Sequence, residues 1–415
     1  MRAHEFNWFL VFVWVALSAT GLIAIYSATQ GPVSEFLSPN IQNNFYSQVA
    51  WFTLAVVVMV FIQFTPPRSF HQIAYALYAL CLLLGIATIF WGIEAGGARR
   101  WLPIGPVNIQ ISEFMKLASI MATATYLSHR RNLSSENLGT ALMTTLLLFI
   151  PAFIIFLQND TGTALILLAI IPIMLFWSGL PHGVSLLIIS PAIITYLTVI
   201  NWVSGLVAVL IITVAIFFLQ KKAWLSVTSL VLGLLVLLGT KLMLQQVLYP
   251  HQRARVEAFV NPSLDPQGAG WNIIQATTAI GSGGFYGKGF MEGTQTQLRF
   301  LPEQWTDFIF CVIGEEFGFV GTVTILLLFL MLFMKLIGMA GEQKHSFAQL
   351  FTVSVAAILF FHFLFNIGSA TGLIPVIGLP LPFVSYGGSS FISYSIMIAI
   401  CLNLDYNKRS FSIYN

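Results

Sequence analysis

Long apolar runs occupy most of this 415-residue chain, and they constrain its fold more than any motif does. A helix needs roughly 20 mostly apolar residues to cross the hydrocarbon core of a bilayer. Twelve runs reach or approach that length, near 8–28, 47–65, 71–92, 111–128, 139–157, 162–178, 183–200, 203–220, 224–243, 305–334, 347–371 and 388–404. The pattern predicts an all-α polytopic membrane protein with about 12 transmembrane helices, in which residues 1–415 form a single integral membrane domain.

Charged residues make up 8% of the chain, whereas soluble domains carry roughly a quarter. Eighteen basic and 15 acidic side chains do not suffice to coat a soluble globule of this size. A soluble enzyme, a disordered tail and a nucleic-acid-binding protein are therefore excluded. The three cysteines, Cys81, Cys311 and Cys401, lie singly within apolar runs and indicate neither a metal site nor a disulfide framework.

The positions of lysine and arginine predict the orientation, because cytoplasmic loops of membrane proteins carry an excess of both. With an even number of spans and both termini cytoplasmic, ten basic residues fall on the cytoplasmic side: Arg2, Arg68, Arg130, Arg131, Lys221, Lys222, Lys335, Lys344, Lys408 and Arg409. The loops 93–110, 244–304 and 372–387 then lie outside. We therefore expect any chemistry at the outer face, with 244–304 as a large extracytoplasmic loop.

A second group of charges lies at or within the outer halves of the spans, where an ionisable residue is costly and is usually paired or functional. Glu113 and Lys116 are three residues apart and share a helix face. Asp160 and Asp307 border apolar runs on the same side. One interpretation is a structural ion pair of Lys116 with Asp160 or Glu113. The other is a polar cavity for an anionic head group, and the two are compatible.

The outer loops are rich in glycine and in side chains that bind phosphate. Arg99, Arg100 and Trp101 combine two guanidiniums suited to phosphate with an aromatic ring suited to the membrane interface. They predict either a lipid-phosphate site or an interfacial anchor. The glycines of 281–289 permit close approach of a ligand, although the surroundings of Lys288 lack the residues of a phosphate loop.

The long loop also contains a single aspartate that precedes a proline, Asp265. Such a residue is usually part of a turn, so spacing alone leaves a turn and a catalytic role open. Further along, Gln295 and Glu303 add polar groups close to the next span. The last outer loop, 372–387, contains Ser385 and is predicted to fold back as a re-entrant lining because it is rich in proline and glycine.

Six stretches in order along the chain resemble the SEDS family of bacterial cell-wall proteins, whose members include RodA and FtsW. They are 97–101, 110–116, 158–164, 265–271, 301–310 and 380–390, while 293–298 and 366–368 are more similar to the RodA branch. Two motifs lack the family's proline, at Ile111 and Asn159. Since the family typically has ten spans, we expect a ten-helix core with two extra spans within 183–243.

The resemblance implies a peptidoglycan glycosyltransferase that polymerises lipid II into glycan strands at the outer face of the bacterial cytoplasmic membrane. The RodA branch implies a role in cell elongation and shape maintenance. Lipid II and undecaprenyl pyrophosphate are the implied ligands, and a class B penicillin-binding protein is the implied partner. Asp265 matches the family's essential acidic residue, which implies that it acts as general base on the acceptor hydroxyl.

Besides Asp265, we expect the substrate to be bound by Arg99, Arg100, Trp101, Glu113, Lys116, Asp160, Lys288, Gln295, Glu303, Asp307 and Ser385. The sequence identifies no definite cofactor, and a divalent cation (Mg²⁺ or Mn²⁺) shared by Asp265 and the pyrophosphate is an alternative. Two other functions stay open at this point. One is a lipid II flippase, and the other is a non-catalytic scaffold that activates the penicillin-binding protein.

Overall fold

The computed structural model describes residues 6–31, 38–95, 98–105, 107–129, 138–244, 256–264 and 270–408. Its helices of twelve or more residues are α1 (Trp8–Gln30), α2 (Asn44–Gln63), α3 (Pro67–Trp91), α4 (Ile111–Ser128), α5 (Leu138–Leu157), α6 (Thr161–Trp177), α7 (His182–Ile200), α8 (Trp202–Gln220), α9 (Ala223–Leu242), α10 (Trp271–Ser282), α11 (Ile309–Glu342), α12 (Ser346–Ala370) and α13 (Gly388–Tyr406). Short helices cover Pro39–Gln42 and Thr294–Gln297.

Each of the twelve predicted apolar runs coincides with one of these helices to within about four residues at the ends, except that α11 continues eight residues beyond the predicted end at 334. Within the described residues, ten helices are long and apolar enough to cross a membrane. The two other runs are α6, which has 17 residues, and α4, whose first turns hold Glu113 and Lys116. The protein is therefore a helical multi-pass membrane protein, and the count of 12 spans stays a prediction.

The chain forms two compact units. One consists of residues 1–129, 143–170 and 275–415, and the other of residues 130–142 and 171–274. We call them the first and the second unit. The prediction that 1–415 form a single membrane domain stays a prediction.

In the second unit, α7, α8 and α9 pack against one another around a core that includes Ile194, Ile212 and Leu237. Small residues let these helices approach closely, as is common for helices that pack within membranes. A Cβ atom added at Gly205 would lie 2.2 Å from the Oγ1 of Thr198, for example. This three-helix group covers 183–243, where the two extra spans are predicted, and that assignment also stays a prediction.

Both ends of the described chain lie at one end of the first unit, which we call the basic end after Lys344 and Lys408. The side chain of Asn7, which caps α1, donates a hydrogen bond to Asp405 near the end of α13 at 3.5 Å. Lys408 pairs with Glu342, the last residue of α11, at 2.7 Å. This end therefore holds Lys408 and the adjoining Lys344, two of the ten basic residues predicted on the cytoplasmic side.

Between α3 and α4, the loop expected at 93–110 is largely a small antiparallel sheet. Its strands are β1 (Ile93–Ala95), β2 (Ala98–Ile104) and β3 (Val107–Gln110), in that order. Strands of three to seven residues are too short to stand out beside helical runs, so the sequence analysis did not predict them. The glycines at 96 and 97 lie outside the described residues.

Helix α11 is interrupted at Gly318, whose φ of 63° and ψ of −153° are not helical. An interruption leaves backbone groups without partners, and these must be bound by other protein atoms within a membrane. The segment 283–289 binds them: the amide of Lys288 donates to the carbonyl of Glu315 at 3.0 Å, and the amide of Phe319 donates back to the segment at 2.9 Å. The glycines therefore allow close approach to the backbone of α11, where the sequence analysis expected a ligand.

This close approach predicts an unequal response at two neighbouring glycines. A Cβ atom at Gly283 would lie 2.0 Å from the carbonyl oxygen of Gly314, whereas a Cβ atom at Gly281 meets nothing within 4 Å. Overpacking against backbone typically costs about 1–3 kcal/mol. We expect Gly283→Ala to lower the melting temperature of the detergent-purified protein by several degrees and Gly281→Ala to leave it unchanged or raise it. Equal melting temperatures for the two variants would contradict the packing described.

Candidate active site

Strand β2 places the two predicted arginines on opposite faces, because successive residues of a strand point to opposite sides. Arg99 is exposed and pairs with Glu94 of β1 at 3.4 Å. The side chain of Arg100 is 31% exposed, and its Nη1 lies 3.9 Å from the Oδ1 of Asp160. The Nε of Arg100 is buried without a hydrogen-bond partner, so this donor is unused. Trp101, the next residue, is partly buried and lies opposite Gln110 in β3.

Asp160 is buried at the start of α6 and joins the sheet to that helix. Its Oδ1 accepts a hydrogen bond from the amide of Thr163 at 3.3 Å, as a helix-capping side chain does. Its Oδ2 accepts from the side chains of Gln110 at 3.0 Å and Ser112 at 3.2 Å. Four groups therefore hold this carboxylate, and the ion pair with Arg100 is the longest of these contacts.

Lys116 lies in a fully buried polar group that crosses three helices. Its Nζ is 3.0 Å from the Oε1 of Glu113 in α4, 2.7 Å from the Nε2 of His362 in α12 and 3.3 Å from the hydroxyl of Tyr394 in α13. We call these four residues the lysine cluster. Of the two ion pairs that the sequence left open, Lys116 makes the one with Glu113.

Asp307 lies just before α11, in the turns that follow Glu303. Burial, together with the neighbouring Glu303 carboxylate, raises the pKa of the Asp307 carboxyl to about 6, and Arg100 opposes the shift. The backbone carbonyl of Asp307 accepts a hydrogen bond from the side chain of Asn366 at 2.9 Å. Arg100 therefore interacts with two acids, Asp160 by direct contact and Asp307 through charge. We call these three residues the arginine site.

The segment 379–387 is not helical, yet residue 379 and residues 381–385 are buried and the others are half-buried, as expected for backbone that is enclosed by protein. Ser385 holds it to the turns before α11, since its Oγ accepts from the amide of Leu381 at 2.8 Å and donates to the carbonyl of Thr306 at 2.5 Å. Glycine in α1 permits the other contact, because a Cβ atom at Gly21 would lie 2.6 Å from the carbonyl oxygen of Val384. The re-entrant position in the bilayer that the sequence predicts for the loop 372–387 stays a prediction.

Lys288 and Gln295 belong to a separate group around Glu315 of α11. The Nζ of Lys288 lies 2.7 Å from the Oε1 of Glu315, which also accepts from the amide of Gln295 at 2.9 Å. Its Oε2 accepts from the amide of Thr296 at 2.8 Å. The buried Glu315 carboxylate thus holds the start of the short helix Thr294–Gln297. The Oε1 of Gln295 is buried without a hydrogen-bond partner.

The structure therefore brings some predicted residues together and separates others. Arg100, Asp160 and Asp307 form one site, whereas Lys288 and Gln295 lie around Glu315 and Arg99 lies on the other face of the sheet. Sequence reasoning missed His362 and Tyr394 because it considered only acidic residues, lysine and arginine within the spans. A histidine inside the 25-residue helix α12 was the available signal.

Asp265, the predicted general base, lies outside the described residues. Among the residues that are described, no group of three or more histidine, cysteine, aspartate or glutamate side chains is arranged to hold a metal ion. The alternative of a divalent cation bound by Asp265 therefore stays a prediction tied to that residue. What the described site offers directly is a guanidinium with an unused donor, which contacts Asp160 and interacts through charge with Asp307.

Comparison with known proteins assigns the chain to a family. The family model described as Cell cycle protein, of the FtsW, RodA and SpoVE type, matches residues 7–205 and 201–410. The chain belongs to this family. A family member, the peptidoglycan glycosyltransferase RodA of Treponema pallidum, is 31% identical over 432 aligned positions that cover 98% of each chain. The peptidoglycan glycosyltransferase MrdB of Escherichia coli is 32% identical over 365 positions, which cover 88% of this chain and 86% of MrdB.

Solved structures of the family have the same fold. A chain from a peptidoglycan synthase complex that coordinates polymerization and crosslinking superposes with a TM-score of 0.72 at 26% identity, covering 98% of this chain and 99% of its own length. The Rod shape determining protein RodA of Thermus thermophilus superposes with a TM-score of 0.62 at 25% identity, covering 97% and 98%. The family resemblance and the helical membrane fold predicted from sequence are thereby confirmed.

The pKa of Asp307 predicts a pH-dependent stability with a definite sign. Its folded-state value of about 6 exceeds its ordinary value of 3.8, so the folded protein binds this proton more tightly than the unfolded chain does. The stability that this tighter proton binding adds to the folded state is fully present below about pH 4 and is lost as the pH rises through about 6. We expect the melting temperature of Asp307→Asn, relative to that of the unsubstituted protein, to rise from about pH 5 to about pH 7.5. A difference that stays constant over this range would contradict the assignment.

Proposed function

We propose that this chain is a peptidoglycan glycosyltransferase, which polymerises lipid II into glycan strands during cell elongation and shape maintenance. The observation that carries the proposal is the arginine site, in which Arg100 keeps an unused donor beside Asp160 and Asp307. A guanidinium with free N–H groups suits a phosphate oxygen. Relatives named peptidoglycan glycosyltransferases, aligned over most of the chain, support the same reaction class.

The substrate carries a pyrophosphate between its lipid and its disaccharide, so the site has to bind anionic oxygens near the membrane surface. The long contact of 3.9 Å between Arg100 and Asp160 leaves the guanidinium weakly held, while Asp160 keeps its three other donors. A pyrophosphate oxygen can therefore bind Arg100 without unfolding the surroundings of Asp160. Arg99, on the exposed face of the sheet, is the nearest additional cation along the chain.

The proposed reaction is an inverting glycosyl transfer. The 4-hydroxyl of the acceptor GlcNAc attacks the anomeric carbon of the donor MurNAc and forms the new glycosidic bond. The bond to undecaprenyl pyrophosphate breaks, and its electron pair leaves on the phosphate oxygen. Asp265 accepts the hydroxyl proton as general base. Arg100 stabilises the negative charge that develops on the leaving pyrophosphate.

The remaining predicted residues have supporting roles in this proposal. Glu113 and Lys116 are 1% and 0% exposed, so they act by fixing α4 against α12 and α13. Ser385 fixes the segment 379–387 to the turns that carry Glu303 and Asp307. Trp101, Lys288 and Gln295 complete the polar surface at the same end of the first unit and contact the more distant parts of the substrate.

A class B penicillin-binding protein that cross-links the new strands is the proposed partner. The relative from a peptidoglycan synthase complex for polymerization and crosslinking supports this partner class. For the orientation, the contact of Asn7 with Asp405 brings both ends of the described chain to the basic end of the first unit. By the excess of lysine and arginine on cytoplasmic surfaces, both termini are then cytoplasmic and the arginine site is extracytoplasmic.

A flippase would need polar groups that continue through the membrane, and the hydroxyl groups of α4 argue against such a path. Ser119 and Thr123, which follow the lysine cluster along α4, donate to the helix's own carbonyls at 2.6 and 2.7 Å. Both hydroxyl protons are therefore already donated within α4. A scaffold without catalysis makes a different prediction, because it does not need Asp265.

The central prediction concerns Asp265. We expect Asp265→Asn, purified with its penicillin-binding partner, to lose polymerisation of labelled lipid II by at least about a hundredfold, since an amide cannot accept the hydroxyl proton as a base. Glu342→Gln is the matched control, because Glu342 lies at the basic end and pairs with Lys408. Glycan strands made at the unsubstituted rate by Asp265→Asn would favour the scaffold function.

The two arginines provide a second prediction. A hydrogen bond to a charged group is worth about 1.5–3 kcal/mol, so we expect Arg100→Gln to raise the KM for lipid II by roughly tenfold or more. Arg99→Gln should have a smaller effect, because Arg99 is exposed and paired with Glu94 at the rim. The measurement is the initial rate of polymerisation against lipid II concentration. Equal losses in both variants would exclude a distinct role for Arg100.

A further inference from the structure

Arg299 differs from the other arginines and lysines near the candidate site in having no acidic partner among the described residues. Outside the ten basic residues predicted on the cytoplasmic side, the described part of the first unit holds five arginines and lysines. Four of them form the pairs Arg99–Glu94, Arg100–Asp160, Lys116–Glu113 and Lys288–Glu315. The side chain of Arg299 is half-buried, and burial lowers the pKa of its guanidinium. Arg299 is therefore a partly desolvated cation that no described acid balances.

The backbone of Arg299 has a conformation that favours glycine. Its φ is 62°, in the left-handed region, just after the short helix Thr294–Gln297. The amide of Arg299 donates to the carbonyl of Thr296 at 3.3 Å, and the next amide, that of Phe300, donates to the carbonyl one residue earlier at 3.1 Å. These two bonds form a Schellman motif, in which the left-handed residue is usually glycine. The end of the helix therefore does not require the guanidinium.

The short helix is anchored, so the backbone of Arg299 has a fixed place. Glu315 binds its first amides, as described above. At the other end, the side chain of Gln297 donates to the carboxylate of Glu316 in α11 at 3.0 Å and to the hydroxyl of Ser27 in α1 at 3.0 Å. Two long helices thus hold the segment that carries Arg299. A ligand has to order only the arginine side chain, which reduces the entropic cost of binding.

The neighbours of Arg299 indicate which anion fits. Leu298 and Phe300 have exposed fractions of 58% and 40%. A guanidinium can bind two oxygens of a phosphate at once. A cation between two exposed apolar side chains suits a phosphate that is attached to an apolar tail, because the same surface can contact the head group and the start of the tail. The segment therefore fits a lipid-linked phosphate better than a soluble one.

The proposed reaction involves two such groups, because the donor and the acceptor are both lipid II. Only the pyrophosphate of the donor leaves, and Arg100 stabilises it. The acceptor reacts through the hydroxyl of its GlcNAc and keeps its own pyrophosphate, which a whole disaccharide separates from that hydroxyl. The two pyrophosphates therefore need separate sites.

We propose that Arg299 binds the pyrophosphate of the acceptor lipid II. Arg299 precedes Asp307 of the arginine site by eight residues, along the turns that join the short helix to α11. The same stretch of chain thus supplies a residue to each pyrophosphate. The proposal rests on the proposed function, since a reaction without a lipid-linked acceptor has no second pyrophosphate to bind.

Arg299→Gly tests the guanidinium without disturbing the backbone, because glycine adopts a φ of 62° readily. We expect the KM for lipid II to rise about tenfold, the factor that a lost hydrogen bond to a charged group brings. The kcat should change little, because the pyrophosphate of the acceptor does not react. The melting temperature should stay within a few degrees of that of the unsubstituted protein. An unchanged KM would overturn the proposal.

Lys221 provides a matched control. It follows the end of α8 with a φ of 50°, it is exposed, and it belongs to the ten basic residues predicted on the cytoplasmic side. Lys221→Gly therefore removes a cation from a similar backbone conformation away from the proposed site. Its KM should match that of the unsubstituted protein. An equal rise of KM in both glycine variants would reflect lost charge in general and would overturn the assignment to Arg299.

Counting bound lipid provides a test that needs no activity. Asp265→Asn, which blocks turnover in the proposed function, is mixed with lipid II in detergent, and the intact complex is weighed by native mass spectrometry. We expect two bound lipid II molecules per protein, and one when Arg299→Gly is added at the same lipid concentration. One molecule on Asp265→Asn alone, or two on the double variant, would overturn the proposal.

Phosphatidylglycerol distinguishes a site for lipid-linked sugar from a site for ordinary membrane lipid. We expect Arg299→Gly to leave the number of bound phosphatidylglycerol molecules unchanged. A loss of phosphatidylglycerol with two lipid II molecules still bound would identify Arg299 as a membrane anchor and overturn the proposal. If the unsubstituted protein fails to polymerise lipid II, the proposed function fails, while the lipid count still decides whether Arg299 binds a lipid-linked pyrophosphate.

Discussion

The ammonium of Lys116 is the charge on which the rest of the first unit depends. A charge that is removed from water without partners costs several kcal/mol, so the fold has to supply acceptors wherever this side chain lies. The acceptors come from α4 itself, α12 and α13, and each lies within 3.3 Å. Because one ammonium has to reach all three, the register of these helices is fixed. Ser393 adds a further tie by donating to the carbonyl of Glu113 at 2.8 Å.

A second constraint is that backbone groups inside a membrane protein need partners, and it explains where the irregular segments lie. The segment 283–289 binds the backbone freed at Gly318, and 379–387 is held by Asn366 and Ser385. Both are non-helical, and part of the backbone of each is bound by neighbouring helices, as Lys288 is by α11 and Leu379 is by Asn366 of α12. Irregular backbone of this kind can carry polar side chains at defined positions, which a continuous helix cannot do at its lipid-facing surface.

The apolar runs predicted the long helices because a hydrophobic run is a local property of the chain. The Lys116–Glu113 pair was likewise among the predicted alternatives, since residues three apart share a helix face. The partners His362 and Tyr394 were out of reach, because they are more than 240 positions away from Lys116 in the sequence and meet it only through helix packing. The sequence also did not predict that Arg99 and Arg100 point to opposite faces, because this follows from their place in the strand β2. In a loop the two would have been equivalent.

The charges of the arginine site set a requirement on its ligand. Asp160 and Arg100 together are neutral, and Asp307 adds up to one negative charge once the pH exceeds its pKa of about 6. A bound pyrophosphate adds further negative charge, so at neutral pH Arg100 alone leaves the complex strongly anionic. Among the described residues, Lys288 is held by Glu315 at 2.7 Å, whereas Arg99 is exposed and held only by a rim contact of 3.4 Å. The proposed binding of a pyrophosphate therefore favours a second cation, such as Arg99 turning from Glu94 or a divalent ion, and the dependence of KM on magnesium in Arg99→Gln separates these two.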